Sequence, residues 1–215
     1  MCYSVGVPVG HQPRAQRAIA RRLRVQVVWK CSDYNTLKAE AEIDPDEAVI
    51  VAIGGNLTGG HDSVESLLEA ALTSLQGAGL KVVARSSWWR SLAWPDPAEP
   101  PYLNGVAIVD IAEGPRWTRG ARWTLNALHV IEQAFDRYRG SPNSARTLDL
   151  DLVAYGRVVL DEPGLHLPHP RAHERRFVMG PLAQIAPGWR HPQLGQTAEN
   201  LAASAKIGMD AAPVG

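Results

Sequence analysis

Leu148-Asp149-Leu150-Asp151-Leu152 alternates apolar and acidic residues without a break. A period of two is the period of a β-strand, so the leucines point one way and the two carboxylates the other. The leucine face must be covered by a core, and the acid face must meet water, cations or both. The whole stretch from Thr147 to Tyr155 reads as one strand, and Val158 to Leu160 after Gly156 reads as the returning arm of a hairpin.

Other elements frame this strand. Ala48-Val49-Ile50-Val51-Ala52-Ile53 is continuously apolar and rich in β-branched residues, the pattern of a buried strand ended by Gly54-Gly55-Asn56. Asp62 and Glu65, three apart, read as a capping box. Val64, Leu67, Leu68, Ala71, Leu72 and Leu75 then recur at helical spacing up to Gly77 and Gly79. Leu80–Arg90 and Tyr102–Ile111 predict two strands. Between them Trp94-Pro95-Asp96-Pro97-Ala98-Glu99-Pro100-Pro101 can be neither helix nor central strand. A helix is predicted from about Pro115 to Phe135, with Leu125, Leu128, Ile131 and Phe135 inward. A short helix over Arg176–Ile185 and a weaker one over Thr197–Ala205 follow. The order β-α-β-β-α-β predicts an α+β, ferredoxin-like sandwich: a mostly antiparallel sheet with helices packed on one face.

Composition narrows the function classes. The chain has 215 residues, with Lys+Arg 22 balanced by Asp+Glu 22, and a hydrophobic fraction of 45%. Zero formal charge argues against affinity built on neutralising many phosphates, as in generic nucleic-acid binding. No apolar run approaches the roughly 20 residues of a membrane helix. Only Cys2 and Cys31 occur, both outside the segment that reads as folded, so a cytoplasmic setting is expected and a disulfide scaffold is not. His11 to Lys30 carries six bases and no acid, whereas Asp33 to Glu47 carries six acids against Lys38. Arg-rich, acid-poor segments of this kind can be transit peptides. The plainer expectation is a disordered extension over 1–47, a folded domain over 48–206 and a tail over 207–215.

Asp149 and Asp151, on one strand face, can converge on a hard cation such as Mg²⁺ whose other positions go to water and phosphate oxygens. The competing reading is a solubilised sheet edge. Arg146 beside the pair, with Arg137 and Arg139 on the loop leading in, favours a phosphate chain, because guanidinium groups grip phosphate bidentately. Gly54-Gly55-Asn56-Leu57-Thr58-Gly59-Gly60 lacks the Lys-Ser/Thr of a Walker loop and the spacing of a dinucleotide fingerprint, leaving a tight turn in which Asn56 offers an amide. His166, His169 and His173 are spaced by prolines that break the register a zinc helix needs. His169, between Pro168 and Pro170, reads instead as a rigidly held imidazole facing an anion, followed by Arg171, Arg175 and Arg176. Trp88, Trp89 and Trp117 read as packing residues. Trp94 and Tyr102 flank the proline-rich loop, where flat rings can stack on a heterocycle that the Asn104 amide could bond.

Four stretches together resemble the 6-hydroxymethyl-7,8-dihydropterin pyrophosphokinase family of folate biosynthesis. They are Ala52-Ile53-Gly54-Gly55-Asn56-Leu57, Pro101-Tyr102-Leu103-Asn104, Arg146-Thr147-Leu148-Asp149-Leu150-Asp151-Leu152 with Tyr155-Gly156, and Leu167-Pro168-His169-Pro170-Arg171 leading to Arg175, Phe177 and Pro181-Leu182. The resemblance implies a ferredoxin-like α+β domain that moves the β,γ-pyrophosphoryl group of ATP to the pterin hydroxyl and leaves AMP. It further implies that Asp149 and Asp151 hold two Mg²⁺ ions, that Arg137, Arg139 and Arg146 act in catalysis, and that Arg139, Arg146, Leu152, His169, Arg175 and His129 contact ATP. Asn56, Trp94, Tyr102, Asn104 and Phe177 would bound the pterin. The partners so implied are ATP and the hydroxymethyl dihydropterin, with no nucleic acid, membrane or obligate protein partner.

The chain departs from the family in two places. Asn143-Ser144-Ala145-Arg146 stands where the family often has Arg-Trp-Gly-Pro, and His129 stands where it often has glutamine. Two readings compete with the resemblance. Another two-metal phosphoryl or nucleotidyl transferase could use the same acid pair. A ferredoxin-like RNA-binding module would need exposed aromatics on a basic sheet face.

Overall fold

The computed structural model of the chain describes residues 23–26, 40–43, 48–93, 96–111, 120–135 and 147–214. Strands β1 (Leu23–Gln26) and β2 (Glu40–Ile43) pair antiparallel, Leu23 opposite Ile43. Paired backbone thus occurs inside the segment expected to be disordered. The alternation Leu-Arg-Val-Gln is a strand pattern, although a lone two-stranded ladder is marginal in water.

The main body runs β3 (Val49–Gly55), α1 (Val64–Gly77), β4 (Leu80–Arg85), β5 (Trp89–Ser91), β6 (Tyr102–Ile111), α2 (Ala121–Ala134), β7 (Asp149–Tyr155), β8 (Leu160–Glu162), β9 (Leu165–Leu167), α3 (Arg176–Ile185), α4 (Ala198–Ser204) and β10 (Ala212–Pro213), with a 3₁₀ turn at Ala172–Glu174 ahead of α3. It is the α+β sandwich on an antiparallel sheet that the sequence predicts. β3 is central, with β6 on one side and β7 on the other; β6 takes β4 and then β5 along its far edge, and β10 joins β5. Every residue of β3 is buried, as its unbroken apolar run requires.

Helices cover both faces of the sheet, not one. Leu67, Leu68, Ala71, Leu72 and Leu75 of α1 join Leu128 and Ile131 of α2 over Val49, Val51, Ile53 and the three leucines 148, 150 and 152. On the opposite face Val178, Met179, Leu182 and Ile185 of α3 and Leu201 of α4 pack with Trp189 on Ile50, Ala52, Val106 and Ile108. The second cover explains why β3 shows no alternation.

Four local expectations shift. The capping box of α1 is Ser63 with Ser66, not Asp62 with Glu65: each serine hydroxyl accepts the other's backbone N–H, at 3.0 and 3.1 Å. The strand predicted over Leu80–Arg90 breaks into β4 and β5, because the Ser86 hydroxyl takes the Val106 N–H that a ladder partner would take. The arm after Gly156 pairs with β9 to make a separate hairpin. Residues 207–214 are no tail. Ile207 bridges to Arg175, β10 pairs with β5, and the Val214 N–H donates to the Trp88 carbonyl at 2.8 Å, so the folded unit reaches at least residue 214. α2 begins at Ala121, and residues 112–119 lie outside the described residues. Trp88 and Trp89 are buried packing residues as expected, whereas Trp117 also lies outside them.

Chain crossings at the end of β3 depend on glycine. A Cβ on Gly55 would sit 2.2 Å from the Thr147 carbonyl oxygen, whereas one on Gly60 would meet nothing within 4 Å. Gly55→Ala is therefore expected to lower stability by about 2–4 kcal/mol, a drop in Tm of roughly 5–15 °C for a domain of this size, and Gly60→Ala by less than about 0.5 kcal/mol. Thermal unfolding of the two variants checks this; equal midpoints would contradict the close approach.

Candidate active site

Register in the central strands lines up three residues. Gly54 of β3 is paired with Asn104 of β6 on one side and with Asp149 of β7 on the other. Gly54 has no side chain, and a Cβ there would come within 3.1 Å of the Asn104 Oδ1. A shallow floor is left between an amide and a carboxylate. α3 starts only at Arg176, so this end of the sheet is not roofed by the helix and stays open as a cleft.

The cleft holds a cavity of about 150 Å³ bounded by Gly54, Ser91, Leu92, Tyr102, Asn104 and Asp149 of the sheet region and by Arg171, Arg175, Phe177 and Ile207. A smaller recess of about 40 Å³ continues from it over Ala52 and Gly54 to Asp149 and Asp151. Asp149 faces both. Both acids are half-buried, as the alternation of β7 places them, opposite a leucine face sealed under α1 and α2.

An arginine and an imidazole meet at the acid end. The Arg175 guanidinium lies 3.5 Å from Asp151 Oδ2, and the His169 Nε2 lies 3.8 Å from the same oxygen. His169 Nδ1 accepts the Arg171 backbone N–H at 3.2 Å, so the proton of a neutral ring sits on Nε2, facing the carboxylate. Burial lowers the His169 pKa; the Asp151 charge opposes that and Arg175 adds to it, keeping the imidazole neutral at pH 7. Arg175 also extends over the Phe177 ring, its guanidinium carbon 5.8 Å from the ring centre. One arginine thus joins the acid end to an aromatic wall.

The other end is flat and mostly apolar. Tyr102, Phe177, Leu92 and Ile207 line it. The Asn104 amide is buried and donates through Nδ2 to the Ser91 hydroxyl at 3.0 Å, which fixes the orientation of Oδ1. An amide so held beside aromatic rings can read the hydrogen-bonding edge of a planar heterocycle.

Not every residue expected from the sequence comes to this cleft. Asp149, Asp151, Tyr102, Asn104, Arg175 and Phe177 line it, and His169 stands behind Asp151. Asn56 does not: its Nδ2 donates to the Pro100 carbonyl at 3.0 Å and so ties down the proline-rich loop. The Leu152 side chain is buried in the core under α1 and α2. His129 is half-buried on α2 and is not among the lining residues. Arg176 turns away to donate to the Ala202 and Ala211 carbonyls. Trp94, Arg137, Arg139 and Arg146 lie outside the described residues.

Sequence reasoning missed Ser91, Leu92, Ile207 and Glu132. Glu132 is 1% exposed on α2, and its Oε1 accepts the Leu150 backbone N–H at 2.7 Å, between the two aspartates. An acid beside Ile131 on the apolar stripe of an amphipathic helix was the signal that could have found it.

The sequence and the fold are similar to those of known proteins. The sequence profile of the 7,8-dihydro-6-hydroxymethylpterin-pyrophosphokinase (HPPK) family matches residues 50–187. A 2-amino-4-hydroxy-6-hydroxymethyldihydropteridine pyrophosphokinase of Synechocystis sp. is 39% identical over 149 residues, 69% of this chain and 71% of that one. The enzyme of that name from Pseudomonas aeruginosa is 33% identical over 167 residues, 78% of this chain and 98% of its own. Among solved structures, the HPPK-DHPS of Plasmodium falciparum superposes with a TM-score of 0.52 at 11% identity, over 73% of this chain and 42% of that one, which shows the fold alone. No helix among the described residues is long and apolar enough to cross a membrane. The chain belongs to the HPPK family and is an ATP-dependent pyrophosphokinase of folate biosynthesis.

Proposed function

We propose that the cleft divides the reaction between its two ends, with the polyphosphate of ATP over Asp149, Asp151, Arg171 and Arg175 and the hydroxymethyl dihydropterin between Tyr102, Asn104 and Phe177. The observation that carries this reading is the row Asp149–Gly54–Asn104, which sets a carboxylate and a fixed amide on either side of a bare backbone floor. Asp149 and Asp151 are the ligands of two Mg²⁺ ions. Their chemistry fits: both are oxygen donors facing one recess, and Mg²⁺ keeps several water and phosphate ligands instead of asking for an all-protein cage. Among the described residues no group of three or more His, Cys, Asp or Glu offers such a cage. When bound, the metal supplies charge neutralisation along the triphosphate.

The protein's own groups do the rest by position. Arg175 and Arg171 bind phosphate oxygens, and Arg175 exchanges its contact with Asp151 for one with phosphate. Asn104 bonds the heterocycle, and Tyr102 and Phe177 hold its plane, aiming the hydroxymethyl oxygen at the β-phosphorus. A bond forms from that oxygen to the β-phosphorus as its proton passes to solvent water, the bond from the β-phosphorus to the α,β-bridging oxygen breaks, and AMP leaves with the bridging oxygen. Transfer of this kind depends on alignment and electrostatics more than on a strong base. Arg137, Arg139 and Arg146 remain proposed phosphate contacts on the strength of the sequence resemblance alone, as do Trp94 and Asn56 for the pterin and His129 and Leu152 for ATP.

Two outcomes are expected. Incubating the protein with ATP, Mg²⁺ and the hydroxymethyl dihydropterin should yield AMP in proportion to consumed pterin; ADP as the nucleotide product would overturn the assignment. Arg175→Ala should cost on the order of 2–4 kcal/mol in kcat/KM, while Arg122→Ala, whose solvent-exposed ion pair with Glu162 is remote in role, should leave turnover unchanged. Equal losses would mean that general surface charge, not the cleft arginine, drives the rate.

A further inference from the structure

The C-terminal segment crosses the mouth of the cleft from wall to wall. At one end the N–H groups of Lys206 and Ile207 both donate to the Glu174 carbonyl at 3.0 Å, and the Arg176 N–H donates to the Ile207 carbonyl at 2.8 Å. At the other end the Asp210 carboxylate accepts the Leu92 N–H at 2.5 Å, and Ala212 and Pro213 pair with Arg90 and Trp89. The Arg176 guanidinium, donating to the Ala211 carbonyl at 3.3 Å, pins the middle. A segment fastened at both rims cannot swing aside without breaking these bonds.

Two residues of this strap touch the heterocycle end. Ile207 lines the cavity together with Leu92, Tyr102 and Phe177. Gly208 lies against Phe177: a Cβ there would be 2.5 Å from Cδ1 and 3.1 Å from Cε1 of the ring. Its φ of +66° is also a conformation that L side chains rarely adopt. The bare backbone of Gly208 is what lets the ring lie where it does.

We propose that residues 207–214 form a specificity-determining wall of the pterin pocket, with Ile207 as an apolar contact of the heterocycle and Gly208 as a positioning residue that sets the plane of the Phe177 ring. This rests on the reading of Tyr102, Asn104 and Phe177 as the heterocycle end. Substituents on the outward edge of the ring would then meet Ile207, so the strap limits how bulky an analogue the enzyme accepts.

The test is equilibrium binding to the full chain of two probes, the hydroxymethyl dihydropterin and α,β-methylene-ATP with Mg²⁺, with thermal unfolding followed alongside. Ile207→Ala should weaken the pterin about five- to tenfold, the size expected for losing partly buried apolar surface, and leave the nucleotide within about twofold. Ile207→Val should restore most of the loss. Gly208→Ala should weaken the pterin as well, and that effect should vanish in a Phe177→Ala background, where no ring remains to be displaced; persistence there would overturn the positioning role. Unchanged pterin affinity in Ile207→Ala, with affinity lost in Tyr102→Ala and Asn104→Ala, would overturn the strap inference and leave the pocket reading standing. Unchanged affinity in all three would overturn the pocket reading, and the inference with it.

Discussion

Gly54 is held in the sheet between Asn104 and Asp149, and the geometry of the active site depends on that pairing. A side chain at position 54 would press on the Asn104 amide and fill the floor of the cleft. Gly55, one residue on, lets the Thr147 carbonyl approach, so β7 can enter alongside β3 with its acids in register. The two glycines serve neither a phosphate loop nor a flexible hinge. They are the places where the sheet must be bare.

Around this row the sandwich is divided by chemistry. α1 and α2 seal the leucine face of β7, and α2 also sends Glu132 to the free edge of the strand to hold the Leu150 N–H between the two aspartates. A buried carboxylate gains most from such a bond, because leaving it unpaired away from water is costly. The carboxylates on the opposite face are therefore carried on a strand fastened at its edge. α3 and α4 cover that opposite face only as far as Arg176, and the uncovered remainder is the cleft. Catalysis by alignment requires this rigidity, since the groups that bind charge must already be in place when the phosphoryl group moves.

Much of this was legible in the sequence. Alternation in Leu148–Leu152 located the acid pair, and the unbroken apolar run of β3 located the central strand. Helical spacing located α1 and α2 with their inner faces. The second helical layer was not legible: α3 and α4 are short, and a doubly covered strand looks the same whether its second cover is near or far in sequence. That the Asn56 amide ties down the proline-rich loop was not legible, because an amide after a strand-ending glycine pair suits a ligand and a loop carbonyl equally, and only the fold brings the Pro100 carbonyl to it. Ile207 was missed because nothing in Lys-Ile-Gly-Met announces a strap, and the contacts that fasten it come from residues 92, 174 and 176, far away in sequence.

The account stands on Asp149 and Asp151 acting as metal-binding carboxylates. The most direct measurement is steady-state AMP formation across a Mg²⁺ titration for Asp149→Asn and Asp151→Asn, with thermal unfolding as the control. The substitution keeps size and shape and removes only the charge. We predict that turnover falls by roughly a hundredfold or more in each, about 2.7 kcal/mol or above, while the unfolding midpoint holds. Turnover near that of the unaltered protein in both variants, at every Mg²⁺ concentration, would contradict the central claim.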